Sequence, residues 1–134
     1  MTGIIHEPHA TVTLTLKATA GMRLLPSEQR RAILDAVVAY FSDKRQVPFA
    51  FDAKTGAQVI TGEEEGLYGW LSVNILEARL STGKRLETSV VLDLGNASTQ
   101  IAFQTERPPL DEAYTASING TRYNLYAYSY LGLG

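Results

Sequence analysis

The feature that most constrains this chain is residues 90–103, reading Val-Val-Leu-Asp-Leu-Gly-Asn-Ala-Ser-Thr-Gln-Ile-Ala-Phe. Val90, Val91 and Leu92 form a β-branched apolar run of the kind expected in a strand buried on both faces. Asp93 interrupts it, and a carboxylate in such a run is costly unless something binds it. Gly95-Asn96 comes next, a pair that tolerates the positive φ of a tight turn. Ser98, Thr99 and Gln100 supply hydroxyls and an amide before Ile101, Ala102 and Phe103 resume an apolar strand. The pattern is strand, tight polar turn, strand, with Asp93 at the mouth. Such a turn presents backbone N–H groups and hydroxyls to an anion, while the carboxylate holds a cation or a water. The same residues also fit a plain β-hairpin whose Asp93 caps its own turn, and composition alone leaves both readings open.

A second stretch carries chemistry of a different kind. Glu63-Glu64-Glu65-Gly66 precedes Leu67, Trp70, Leu71, Ile75 and Ala78 at helical spacing, which puts the acids at a helix N-terminus. Glutamates there favour the positive end of the dipole, and that suffices to explain Glu63 and Glu64. Glu65 stands apart, because Gly66 and Gly69 lower helix propensity just behind it. Glycines in that place indicate close approach of a backbone or ligand. A carboxylate beside them can act as a general base on water if folding brings it opposite the turn after Asp93.

The remaining elements are read from pattern. Residues 11–16 alternate, with Val12, Leu14 and Leu16 on one face of an expected strand. Ala18-Thr19-Ala20-Gly21-Met22-Arg23 then reads as a small-residue turn, either a close-approach site with an Arg suited to phosphate or a plain strand-to-helix turn. Pro26-Ser27-Glu28 is a helix start, and Ile33, Leu34, Val37, Tyr40 and Phe41 extend an amphipathic helix from Ser27 to about Ser42. Residues 42–45 break it, and residues 48–54 form a loop or short strand. Residues 57–60 form a short strand. Residues 81–89 are a polar connection containing Gly83, and Pro108-Pro109 makes a loop. Asn119-Gly120 predicts a hairpin turn between residues 114–118 and 123–130. Tyr126, Tyr128 and Tyr130 then share one face, suited to packing or to stacking a base. Asn96-Ala97-Ser98 and Asn119-Gly120-Thr121 match the N-glycosylation pattern.

Composition excludes several classes. At 134 residues there is room for one domain or one lobe of a larger protein, and a net charge of −2 gives no electrostatic footprint for nucleic acid. The chain has no cysteine, hence no disulfide, thiolate nucleophile or thiolate metal site. No apolar run is long enough to span a bilayer, and the first residues do not read as a signal peptide.

Three stretches together resemble the apyrase family, the nucleoside triphosphate diphosphohydrolases. Ala18-Thr19-Ala20-Gly21-Met22-Arg23-Leu24-Leu25 is similar to its second signature. Gly62-Glu63-Glu64-Glu65-Gly66-Leu67-Tyr68-Gly69-Trp70 is similar to the third, and Asp93-Leu94-Gly95-Asn96-Ala97-Ser98-Thr99-Gln100 to the fourth. They fall in the family's order, and Tyr123-Asn124-Leu125-Tyr126 resembles the family's segment downstream of the fourth signature. The Glu-Gly-Leu-Tyr-Gly-Trp stretch argues against a different actin-like phosphotransferase, such as an exopolyphosphatase or a sugar kinase.

The resemblance implies an α/β fold, an actin-like (ribonuclease H-like) lobe with a mixed sheet and flanking helices. Residues 1–134 would form a single partial lobe truncated at both ends. The implied activity is removal of terminal phosphates from nucleoside tri- and diphosphates with Ca²⁺ or Mg²⁺. It assigns Glu65 as general base, Ser98 to positioning the attacking water, and Asp93 and Gln100 to the water shell of the metal. Thr19 and Arg23 would contact phosphate, as would the turn of Gly95, Asn96, Ala97 and Ser98. The fourth stretch carries Asn96 where the family usually has a second glycine, and nothing in residues 1–10 resembles the first signature. The isolated chain is therefore expected to turn over slowly or not at all unless a second lobe or self-association completes the site. The alternative is an inactive remnant with a nucleotide-binding or protein-contact role.

Overall fold

The computed structural model describes residues 12–81, 87–106 and 113–134. The segment before Val12, Gly83 and the Pro108-Pro109 pair lie outside the described residues. The chain is mixed α/β, with one parallel and one antiparallel sheet and flanking helices. One partial lobe is expected from the sequence; the contacts gather the chain into two compact units. Of the described residues, one holds 12–18 with Met22–Val59, and the other holds Thr19–Gly21 with the described part of Ile60–Gly134.

In the first unit β1 (Leu16–Ala18) pairs in parallel with β2 (Ala57–Val59). The chain between them runs through α1 (Ala20–Arg23) and α2 (Ser27–Ser42), the crossover that parallel pairing requires. The expected strand over residues 11–16 is shorter and later than its alternation suggests. Among the described residues upstream of Leu16 only Thr13 is bridged, to Ala50, because a strand extends only as far as a partner backbone accompanies it. Helix α2 has the expected bounds, with Pro26 as its N-cap. It buries no residue fully, and Phe41 instead meets Phe51 edge-on at 5.3 Å. Gly56 is buried where a Cβ would lie 2.5 Å from the Asp52 carbonyl oxygen, so only glycine fits the turn that feeds β2.

The second unit packs α3 (Gly62–Leu76) on an antiparallel sheet of β3 (Val91–Leu94), β4 (Ser98–Gln104), β6 (Thr121–Leu131) and β5 (Ala113–Ile118), in that spatial order. Thr61 and Glu64 form a reciprocal capping box at the start of α3, which explains the preference for Glu64 without invoking chemistry. Trp70, Leu80, Ala102, Tyr123, Leu125 and Ala127 make the core. Asn119 and Gly120 have φ of 50° and 78°, the mirror-image turn expected for a two-residue hairpin loop. Between β3 and α3, Asn74 is fully buried and clamps Ser89. Its Nδ2 donates to the Ser89 carbonyl at 3.2 Å, and its Oδ1 accepts from the Ser89 N–H at 2.7 Å.

Strand β3 corrects the expectation of burial on both faces. It is an edge strand, with Leu92 at 72% and Leu94 at 78% exposure. Val91 and Asp93 share the α3 side, and an apolar run of this length does not by itself distinguish an edge strand from a central one.

Candidate active site

The stretch over residues 90–103 folds as a hairpin, with Asp93 paired to Gln100 and Leu94 to Thr99. The turn is closed by the Gly95 N–H donating to the Ser98 carbonyl at 3.0 Å. Neither Gly95 nor Asn96 takes positive φ, contrary to expectation. Four residues separate Leu94 from Thr99, so the loop does not need the mirror-image geometry of a two-residue turn. Glycine at 95 instead relieves crowding, since a Cβ there would sit 3.1 Å from the Ser98 oxygen. Gly132 donates to the Ala97 carbonyl, and the Thr99 hydroxyl donates to that of Leu133; the end of β6 thus holds the turn in place.

Residues directly opposite in an antiparallel pair point to the same face. Gln100, its partner Asp93 on β3 and its partner Ser129 on β6 therefore all face α3. Helix α3 comes close to them because residue 66 is glycine: a Cβ there would lie 3.3 Å from the Gln100 Cβ and 3.7 Å from that of Ala102. The close approach expected at this glycine is made by a strand.

That approach brings the third and fourth signature stretches together. Gln100 is 1% exposed and Ser98 2%, while Glu65 is half-buried. The Gln100 Nε2 lies 2.5 Å from the Ser98 Oγ, 3.0 Å from the Ser129 Oγ and 3.3 Å from the Glu65 Oε2. A carboxylate only accepts, so the nitrogen end of the amide is the end that must face Glu65. The Gln100 Oε1 is left buried with no hydrogen-bond partner. An orphaned buried acceptor is costly unless a donor or a cation meets it.

Asp93 lies on the same face but is exposed, so its carboxylate carries none of the burial cost that a central strand would impose. Thr19 directly succeeds β1 and Arg23 ends α1; both are half-buried. Among the described residues no cluster of three or more His, Cys, Asp or Glu could cage a metal alone. A hard cation that keeps its waters needs only one or two protein oxygens, and Asp93 and Gln100 stand opposite each other across the β3–β4 ladder. An apolar cavity of about 320 Å³ between α3 and β5 is lined by Leu67, Leu71, Tyr114, Ala116 and Leu125; Glu65, Ser98 and Gln100 are not among its lining residues.

Ser129 is not marked out by the sequence alone. Its signal is the lone small polar side chain in the row Tyr123, Leu125, Ala127, Ser129, otherwise apolar or aromatic, that β6 turns toward α3. That signal points to a site only once the register places Ser129 beside Gln100.

The fold and this grouping define a mixed α/β chain in which a helix-borne carboxylate is joined to a strand-borne amide and hydroxyl. The chain belongs to the GDA1/CD39 (nucleoside phosphatase) family, which residues 2–134 match. It is 35% identical over 127 residues to a guanosine-diphosphatase of Candida albicans, covering 90% of this chain and 21% of that protein. Against ectonucleoside triphosphate diphosphohydrolase 2 of Homo sapiens it is 38% identical over 138 residues, covering 96% and 27%. Nucleoside diphosphate phosphatase ENTPD5 of Homo sapiens is 39% identical over 127 residues, covering 90% and 28%. The chain thus spans about a quarter of the length of these relatives. No helix among the described residues is long and apolar enough to cross a membrane.

Proposed function

We propose that this chain carries the water-activating part of a nucleoside phosphatase site on an actin-like framework, acting on the terminal phosphate of nucleoside tri- and diphosphates. The observation that carries this reading is the Gln100 amide, which links the Glu65 carboxylate to the Ser98 hydroxyl across α3 and β4. Glu65 takes a proton from water as the water oxygen forms a bond to the terminal phosphorus. The phosphorus–oxygen bond to the rest of the nucleotide breaks, releasing inorganic phosphate and a shortened nucleotide. Ser98, fixed by the Gln100 N–H, orients the water. No covalent enzyme intermediate is needed.

Asp93 and the Gln100 Oε1 would hold a hydrated Ca²⁺ or Mg²⁺. When bound, such a cation supplies charge neutralisation on the phosphate oxygens. Within the turn the Gly95 N–H is already used, so Asn96 and Ala97 supply the backbone donors for phosphate there. The contribution of Thr19 and Arg23 rests on the second signature alone.

The test is phosphate release from ADP and ATP by the purified chain with Ca²⁺ or Mg²⁺. Release that a chelator abolishes and added metal restores supports the reading. Absence of release from a chain shown to be folded favours the alternative of a nucleotide-binding or protein-contact role.

A further inference from the structure

The chain has asparagine at positions 74, 96, 119 and 124, and Asn119 alone is followed by glycine. The backbone nitrogen of a following residue can attack an asparagine side-chain carbonyl carbon, and a Cβ on that residue obstructs the approach; glycine has none. The fold separates the four further. Asn74 is fully buried with both ends of its amide hydrogen-bonded. Asn124 lies inside β6, paired with Thr115, and Asn96 precedes Ala97. Asn119 and Gly120 instead form the loop beyond the last rung of the β5–β6 ladder, where Ile118 faces Thr121. Both are exposed, and even a Cβ at position 120 would meet no atom within 4 Å. Among the described residues the Gly120 N–H donates to no backbone carbonyl, so the attacking nitrogen can move without opening the ladder.

We propose that Asn119-Gly120 is a self-modifying backbone site, at which the folded chain turns a neutral amide into a carboxylate and lengthens its own main chain. The Gly120 nitrogen gives its proton to base and bonds to the Asn119 Cγ. The bond from Cγ to the side-chain nitrogen breaks, ammonia leaves and a cyclic imide remains. Water then adds to either imide carbonyl, and the bond from that carbonyl to the ring nitrogen breaks. Opening at Cγ leaves aspartate. Opening at the main-chain carbonyl leaves isoaspartate, with the chain running through the former side chain, one carbon longer. Water is consumed, ammonia is released and no oxidant takes part. A two-residue loop closes directly on its rung, so the added carbon loosens the pairing of Ile118 with Thr121. Strand β6 carries Tyr123, Leu125 and Ala127 of the core, and the strain is passed there.

The test follows the folded chain at neutral and mildly alkaline pH beside the same chain unfolded in urea, with the modified residue located by mass spectrometry after digestion. The expected result in the folded chain is the mass gain of an NH-to-O exchange at Asn119, faster at the higher pH because the attacking nitrogen must lose its proton. No gain is expected at Asn74, Asn96 or Asn124, and Asn119→Gln abolishes the signal. The isoaspartyl product should unfold at a lower urea concentration, read by Trp70 fluorescence, than Asn119→Asp, which has the same charge on an ordinary backbone. A gain at Asn119 in urea but none in the folded chain would overturn the proposal, since the turn would then protect the pair. So would an earlier gain at another asparagine, or an isoaspartyl product as stable as Asn119→Asp.

Discussion

Removing the Asn74 side chain tests how the site is assembled. The residue is fully buried, and its amide holds both backbone groups of Ser89, the residue from which the chain runs into β3. Asn74→Ala strands one N–H and one carbonyl in a partly buried place. A stranded buried group costs about 1–3 kcal/mol, and the second carbonyl that Asn74 meets, that of Trp70, adds nothing because it lies within a helix. Two stranded groups, partly relieved by water, come to about 2–4 kcal/mol. That is a large share of the ~5–15 kcal/mol that holds a domain folded. Trp70 is the only tryptophan and sits in the same core, one helical turn before Asn74, so its fluorescence in a urea titration reports this unit directly. The expected outcome is a lower midpoint with an unchanged slope. A loss below about 0.5 kcal/mol, the ordinary scatter of an uninvolved site, would refute the claim that this amide anchors β3 against α3.

Other outcomes rest on the same contacts. Gly66→Val should cost about 1–3 kcal/mol by overpacking, against a helix-propensity gain under ~0.5 kcal/mol, and should break the Gln100–Glu65 contact; calorimetry and the Gln100 amide signal check both. Gly120→Ala meets no atom within 4 Å but must hold a φ of 78°, so it should destabilise by about 1–2 kcal/mol from backbone strain alone, read as a drop in the unfolding midpoint. Hydrogen bonds from Thr55 and Lys54 hold the Asp52 carboxyl below its usual range, and those from Ser89 and Arg79 do the same for Glu77. Groups whose folded pKa is depressed stabilise fully above the unfolded value and lose that stability as pH falls through the folded one. Urea midpoints should therefore decline below about pH 4, and less steeply in Asp52→Asn.

How much of this was legible in the sequence depended on whether the signal was local. Helix α2 was readable because Pro26, Ser27 and Glu28 mark its start and the apolar spacing marks its length. The β5–β6 hairpin was readable because Asn119-Gly120 suits one turn geometry above all. Gly66 announced a close approach, though not that Gln100 would be what approached. The nearness of Glu65 to Ser98 came only from resemblance, since nothing within either stretch encodes the packing of α3 on β4. Where partners decide, local pattern failed. Val90, Val91 and Leu92 are equally apolar in a central strand and at the edge they occupy, and the strand expected over residues 11–16 shortened to what its partners allow. Ser129 was invisible for the same reason, because its place beside Gln100 exists only in the register of β4 with β6.

The measurement that tests the central claim most directly is metal-dependent phosphate release by this chain beside its Glu65→Gln variant, both shown to be folded. Loss of a general base typically costs about 10²–10⁴-fold. The account predicts release that is slow in absolute terms and falls by about 100-fold or more in the variant. Equal release from the two proteins would contradict it.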